Sequence, residues 1–126
     1  MRAQMAVPLT VVLSLGLSVG CDGTPKPVSY GADIKPLIDR YCMECHAKEG
    51  EGAKASGFVV DSYDSVMKGT KYGPVIVPGD SLSSSLYLLV AGKVHSSIWM
   101  PHGRKPLEER EVATIERWIS EGAGNN

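Results

Sequence analysis

The chain has 126 residues, with 13 basic and 14 acidic side chains and a formal charge of −1. That length holds one domain plus flanking sequence, and so even a balance leaves no electrostatic footprint for nucleic acid or an anionic surface. Aromatic residues make up 6 % and Phe58 is the only phenylalanine. A domain of about 100 residues with so little aromatic bulk has a thin core, which a large apolar cofactor would fill.

Residues 1–20 start with Arg2 near the terminus and continue as an uncharged, mostly apolar run to Gly20. Pro8, Ser14 and Gly16 interrupt it, and a membrane span needs about 20 apolar residues. The run reads instead as an export signal, with a charged start, an apolar middle and small residues at its end. Leu17-Ser18-Val19-Gly20-Cys21 resembles a bacterial lipoprotein cleavage site, although Ser18 stands where that pattern prefers Leu. The resemblance implies that residues 1–21 form a signal segment and that Cys21 becomes a lipidated membrane anchor. A plain secretory signal with Cys21 as a bystander is the alternative. Loss of this segment removes Arg2 and takes the net charge from −1 to −2.

Residues 22–29, with Pro25, Pro27 and Gly23, read as a solvated linker. A domain spanning 30–123 follows. Its first predicted helix runs from Asp33, as N-cap, to Tyr41, with Pro36 in the first turn and Ile34, Leu37, Ile38 and Tyr41 on one face. A polar loop extends from His46 to about Gly57, before an extended Phe58-Val59-Val60. A short helix over 61–68 ends at Gly69. Asp80 or Ser81 is expected to cap a helix that carries Leu82, Leu86, Leu89 and Val90 and stops at Gly92. Residues 92–106 read as a loop. The last helix covers 107–121, with Glu108, Glu109 and Glu111 at its dipole-positive end and Val112, Ile115, Trp118 and Ile119 as its apolar face. The sum is an all-α domain of about four helices, with loops long enough to call for a function or a ligand to organise them.

The chemistry concentrates in Tyr41-Cys42-Met43-Glu44-Cys45-His46. Cys-x-x-Cys-His is the attachment pattern of a c-type haem. Cysteines at i and i+3 project from one side of a helical turn, so each thiol can add to one vinyl group. The following histidine then ligates the iron from one face. Three other readings compete. A zinc site needs four ligands, and the remaining histidines, His95 and His102, are spaced seven apart. A thioredoxin-like thiol centre belongs beside a βαβ pattern, which is absent. A disulfide would close a very short loop and gain little entropy. No nucleophile–base arrangement and no phosphate loop is present.

Several stretches together resemble a class I c-type cytochrome, and within it the short planctomycete-type cytochrome c domain. They are Asp33-Ile34 through Tyr41 into Cys42–His46, Val77-Pro78-Gly79-Asp80 followed by Ser85-Leu86-Tyr87, Met100-Pro101, and Ile115–Ile119 ending in Gly122-Ala123. The resemblance implies a small cytochrome c-like fold around one covalent haem c, held by Cys42 and Cys45, with His46 as proximal iron ligand. It also implies that Met100, ahead of Pro101 and the last helix, is the distal ligand. His102 stands where a second proline is common in the family, so His102 or His95 remains an alternative sixth ligand. Met43, between the cysteines, cannot reach the opposite face, and Met67 reads as core. Trp99 and Trp118 read as packing residues, and Lys93, Arg104 and Lys105 as a basic rim or a solvated loop. The implied role is a non-enzymatic single-electron carrier at the periplasmic face of a membrane, with protein redox partners. The alternative is a haem enzyme or a gas or redox sensor with a labile distal ligand.

Overall fold

The structure, a computed structural model, describes residue 23 and residues 25–126. The signal segment and Cys21 lie outside the described residues. Among these residues there are six α-helices, one π-helical turn, one 3-10 turn and no β-strand. The all-α expectation holds, with more and shorter helices than the sequence suggests.

The chain enters the fold at Val28, which is buried, and its N–H donates to Glu121 Oε2 at 2.7 Å. Ser29 Oγ donates to the Asn126 carbonyl at 2.6 Å and Asn126 Oδ1 accepts from Tyr30 N–H at 3.0 Å. Val28 and Ser29, assigned to the linker on composition, are thus part of the folded body. So is the C-terminus as far as Asn126.

The first helical segment begins earlier than expected, as a π-helical turn Tyr30–Ile34, and continues as α1 (Lys35–Tyr41). Its cap is Ser29 rather than Asp33: Ser29 Oγ accepts from Ala32 N–H, and Asp33 Oδ2 accepts from Ser29 N–H at 2.8 Å. Both residues serve the terminus, in exchanged roles. After one break at Cys42, α2 (Met43–His46) carries the cysteine–histidine motif. The predicted polar loop contains a further helix, α3 (Glu51–Ser56). Next comes α4 (Tyr63–Lys68), capped by Ser62 Oγ on Ser65 N–H and followed by Gly69.

The fifth helix, α5 (Ser85–Val90), starts at Ser84 and not at Asp80 or Ser81. Asp80 instead closes a tight turn, accepting from Ser83 N–H at 3.0 Å and Ser83 Oγ at 2.6 Å. Leu82 falls in that turn and is exposed. The loop over 92–106 holds the 3-10 turn Ser96–Ile98. The last helix, α6 (Glu109–Ser120), opens on a capping box in which Glu108 and Glu111 serve each other's N–H groups.

Ile115, Trp118 and Ile119 of α6 are buried against Ile34 and Ile38, with Val60, Val66, Ile76 and Tyr87 completing the core. Tyr30 packs its ring 5.7 Å from Trp118 and 5.0 Å, edge-on, from Tyr63. The Trp118 indole N–H donates to the Gly124 carbonyl at 3.0 Å. This core is small, and it forms the floor beneath a large apolar hollow.

Candidate haem site

The hollow has a volume of about 460 Å³ and lies among the motif helix, α3, α5 and the 100–107 loop. Cys42, Cys45 and His46 form one stretch of its wall, with Met100, Pro101 and His102 in another. Phe58, Val75, Leu86, Leu89, Val90 and Leu107 supply much of the apolar lining. The volume falls within the range of cofactor pockets, roughly 300–1,000 Å³.

Local backbone bonds set the motif in place. His46 N–H donates to Cys42 O at 2.9 Å, and Cys42 N–H donates to Ile38 O at 2.9 Å, so α2 continues the line of α1 across its break. Val60 N–H donates to His46 O at 3.0 Å, pinning the extended 58–60 segment to the motif. The imidazole is oriented by the same segment. His46 Nδ1 lies 3.0 Å from the Phe58 carbonyl oxygen. A carbonyl only accepts, so Nδ1 carries the proton and Nε2 of the neutral ring keeps its lone pair. That is the tautomer a metal-binding imidazole needs, with the backbone acting as outer support.

Helix α3, which the sequence reading missed, builds the space around that ring. A Cβ at Gly52 would lie 2.9 Å from His46 Cε1, 3.0 Å from Nε2 and 2.9 Å from Cys45 O; one at Gly50 would lie 2.3 Å from Cys45 O. Two glycines let the helix approach the motif to backbone distance. For Gly52→Ala, helix propensity favours alanine by about 1 kcal/mol, but overpacking costs about 1–3 kcal/mol. The expected net result is a loss of up to about 2 kcal/mol with a disturbed iron–imidazole spectrum, checked by denaturant unfolding and optical spectra of the haem-loaded protein.

The competing chemistries fare poorly. Cys42 and Cys45 are free thiols and form no disulfide. Among the described residues no group of three or more His, Cys, Asp or Glu side chains is placed to hold a metal ion. Burial, with smaller contributions from Asp39 and Cys45, pushes the Cys42 thiol up to about 11. A thiol-exchange centre needs the opposite shift. Cys45 is exposed, at the mouth of the hollow.

Met100 is half-buried, and its N–H donates to Leu89 O at 3.2 Å, which ties the loop to α5. His102 also reaches the wall but is exposed. His95 does not reach it: its Nδ1 sits 2.8 Å from Ser97 Oγ, and it caps the 3-10 turn. Met43 and Met67 pack on the core away from the hollow. Trp118 is core, and Trp99 is 45 % exposed with its indole N–H donating to Val94 O at 2.8 Å. Neither tryptophan lines the wall. Of the expected basic rim, Arg104 lines the hollow and is ion-paired with Glu44, Lys93 lies 4.9 Å from the Tyr87 ring centroid, and both are exposed, as is Lys105.

Residues 42–101 match the family described as Planctomycete cytochrome C, a span that opens on the first motif cysteine and closes on Pro101. No curated protein and no solved structure matches the chain. The matched segment contains both the thiol–imidazole wall and the Met100–Pro101 wall of the hollow. The chain therefore carries a short planctomycete-type cytochrome c domain, a haem-binding electron-transfer fold whose family takes covalently bound haem c.

Proposed function

We propose that the protein is a single-haem, single-electron carrier working at the periplasmic face of a membrane. The observation that carries this reading is convergence. Cys42, Cys45, His46 and Met100, spread over the chain, line one apolar hollow of about 460 Å³. The residues present fit haem c: two thiols on one edge, an imidazole with its lone pair kept by the Phe58 carbonyl, and apolar walls.

In this reading Cys42 and Cys45 form the two thioethers, His46 is the proximal iron ligand and Met100 the distal one. Bound there, haem c supplies a one-electron iron couple. The chain's share is to hold the two ligands in one geometry in both redox states. The Phe58 carbonyl fixes the imidazole, and the Leu89 carbonyl anchors the Met100 loop. The apolar lining excludes water, and the exposed position of Cys45 keeps one edge within reach of protein redox partners. No helix among the described residues is long and apolar enough to cross a membrane. Membrane attachment in this reading comes from lipidated Cys21 and the short tether that follows it.

Expression with a cytochrome maturation system and an optical redox titration tests the reading. One haem per chain, a single one-electron transition and a low-spin spectrum in both states are expected. A colourless product, or a high-spin iron that binds added ligands without displacement, would overturn it.

A further inference from the structure

Glu111 is a carboxylate buried to 7 % exposure in a domain with little polar interior. Three donors hold it: Tyr41 Oη at 2.7 Å, Glu108 N–H at 2.8 Å and Arg40 Nη1 at 3.2 Å. The capping box explains only the Glu108 bond, and glutamine serves that position as well as glutamate. The tyrosine bond likewise needs an acceptor and not a charge. The three donors also stabilise the ionised form, so the fold carries a fixed negative charge at this position.

Tyr41 supplies the connection. Its hydroxyl is committed to Glu111, while its side chain forms part of the wall of the haem hollow immediately before Cys42. Glu111 also lines a surface depression on its other side, together with Asp33, Leu37, Arg110 and Thr114. We propose that Glu111 is a built-in anion that sets the electron affinity of the haem site, separated from it by the Tyr41 ring. The inference rests on the haem-carrier reading above. A fixed negative charge stabilises the oxidised site over the reduced one, because reduction brings in an electron. The step takes one electron from the redox partner and no proton, with Glu111 ionised before and after.

The charged groups facing Glu111 do not cancel this effect. Arg40 on α1 is 66 % exposed at its side chain and is screened by solvent. Arg110 on α6 and Glu108, the N-cap of that helix, pair with each other at 2.9 Å, both in contact with water. Asp33, on the π-helical turn, adds to the negative side. The Glu108 N–H and the Tyr41 hydroxyl hold the Glu111 carboxyl below the usual carboxylate range, so its charge persists through neutral pH. At an effective dielectric of about 20, a unit charge shifts a one-electron equilibrium on the order of tenfold when it lies about 12 Å away, and more when nearer.

The test is an optical redox titration of haem-loaded wild type, Glu111→Gln and Arg40→Gln at pH 7. Glu111→Gln keeps the acceptor for Tyr41 and for Glu108 N–H. It is expected to raise the ratio of reduced to oxidised protein at fixed ambient potential about tenfold, equivalent to about 59 mV. Arg40→Gln is expected to move the ratio the opposite way by a smaller factor, a sign reversal that a merely structural role would not produce. A change below threefold in Glu111→Gln, or a shift toward the oxidised form, overturns the proposal. If Glu111→Gln does not fold, Tyr41→Phe carries the test. Loss of its donor raises the Glu111 carboxyl, so the rise in reduced fraction on acidification must begin at a higher pH than in wild type; an unchanged pH profile overturns the proposal. A colourless wild type would sink the haem reading itself, whereas a coloured protein with an unmoved ratio sinks only this inference.

Discussion

Met100→Ala is expected to lower the reduction potential by on the order of 0.1–0.2 V, a modest part of the ~0.8 V span that axial ligands control. A thioether sulfur favours the ferrous iron, so replacing it with water or a weaker donor favours the ferric form. The substitution also trims a half-buried side chain from the cavity wall, at less than the about 2–5 kcal/mol that a fully buried methionine costs. The loop itself keeps its anchor, since the Met100 N–H to Leu89 O bond belongs to the backbone. Loss of the ligand is thus separable from loss of the fold. The discriminating partner is His102→Ala, because among the described residues His102 is the other sixth-ligand candidate that lines the hollow, and it is exposed there. A Met100-ligated iron leaves the potential and ferric spectrum of His102→Ala unchanged, and a bis-histidine iron reverses the two results. Optical spectroelectrochemistry of the two variants reads both outcomes.

The parts of this site that could be read from sequence are those whose chemistry is local. Cys42, Cys45 and His46 sit within one helical turn, so their spacing alone states which side chains share an edge. The apolar face of α6 was also legible, because Ile115, Trp118 and Ile119 repeat at helical spacing behind a run of glutamates. What failed was local competition for hydrogen bonds. Asp80 looks like a helix cap but spends its carboxylate on Ser83, and Ser84 Oγ donates to the Asp80 carbonyl at 2.7 Å and accepts from Val77 N–H at 2.8 Å. That turn delays α5 and leaves Leu82 in water.

Helix α3 was hidden for a different reason. Gly52 weakens its intrinsic propensity, and only the approach of Gly50 and Gly52 to Cys45 and His46 explains why glycine belongs there. The signal was tertiary, so a one-dimensional pattern could not carry it. The same holds for Glu111. From the sequence it is one of three acids at a helix start, and only the fold brings Tyr41 and Arg40, some seventy positions earlier, onto its carboxylate. The residues that shape the site are thus more distributed than those that hold its cofactor.

Replacing both attachment cysteines, Cys42→Ala with Cys45→Ala, is expected to abolish covalent haem and with it the cooperative fold. The haem-free double variant must either collapse its hollow or leave it unfilled. At ~24 cal/mol per Å³, an unfilled apolar cavity of 460 Å³ costs about 11 kcal/mol. A small domain has about 5–15 kcal/mol in total, so even half of that figure, allowing for the open mouth, removes most of the margin. The core beneath offers little reserve, because its largest fully buried side chains are Trp118, Ile34 and Ile119. A haem-stained denaturing gel and a thermal melt followed by circular dichroism check the two halves separately: no stained band, and a broad transition in place of a sharp one. His46→Ala provides the contrast, since it leaves both thioethers possible and should keep the stained band while losing the low-spin spectrum. An unstained double variant that still melts sharply at the wild-type temperature would show that haem does not complete this core, and that the fold rests on its aliphatic floor alone.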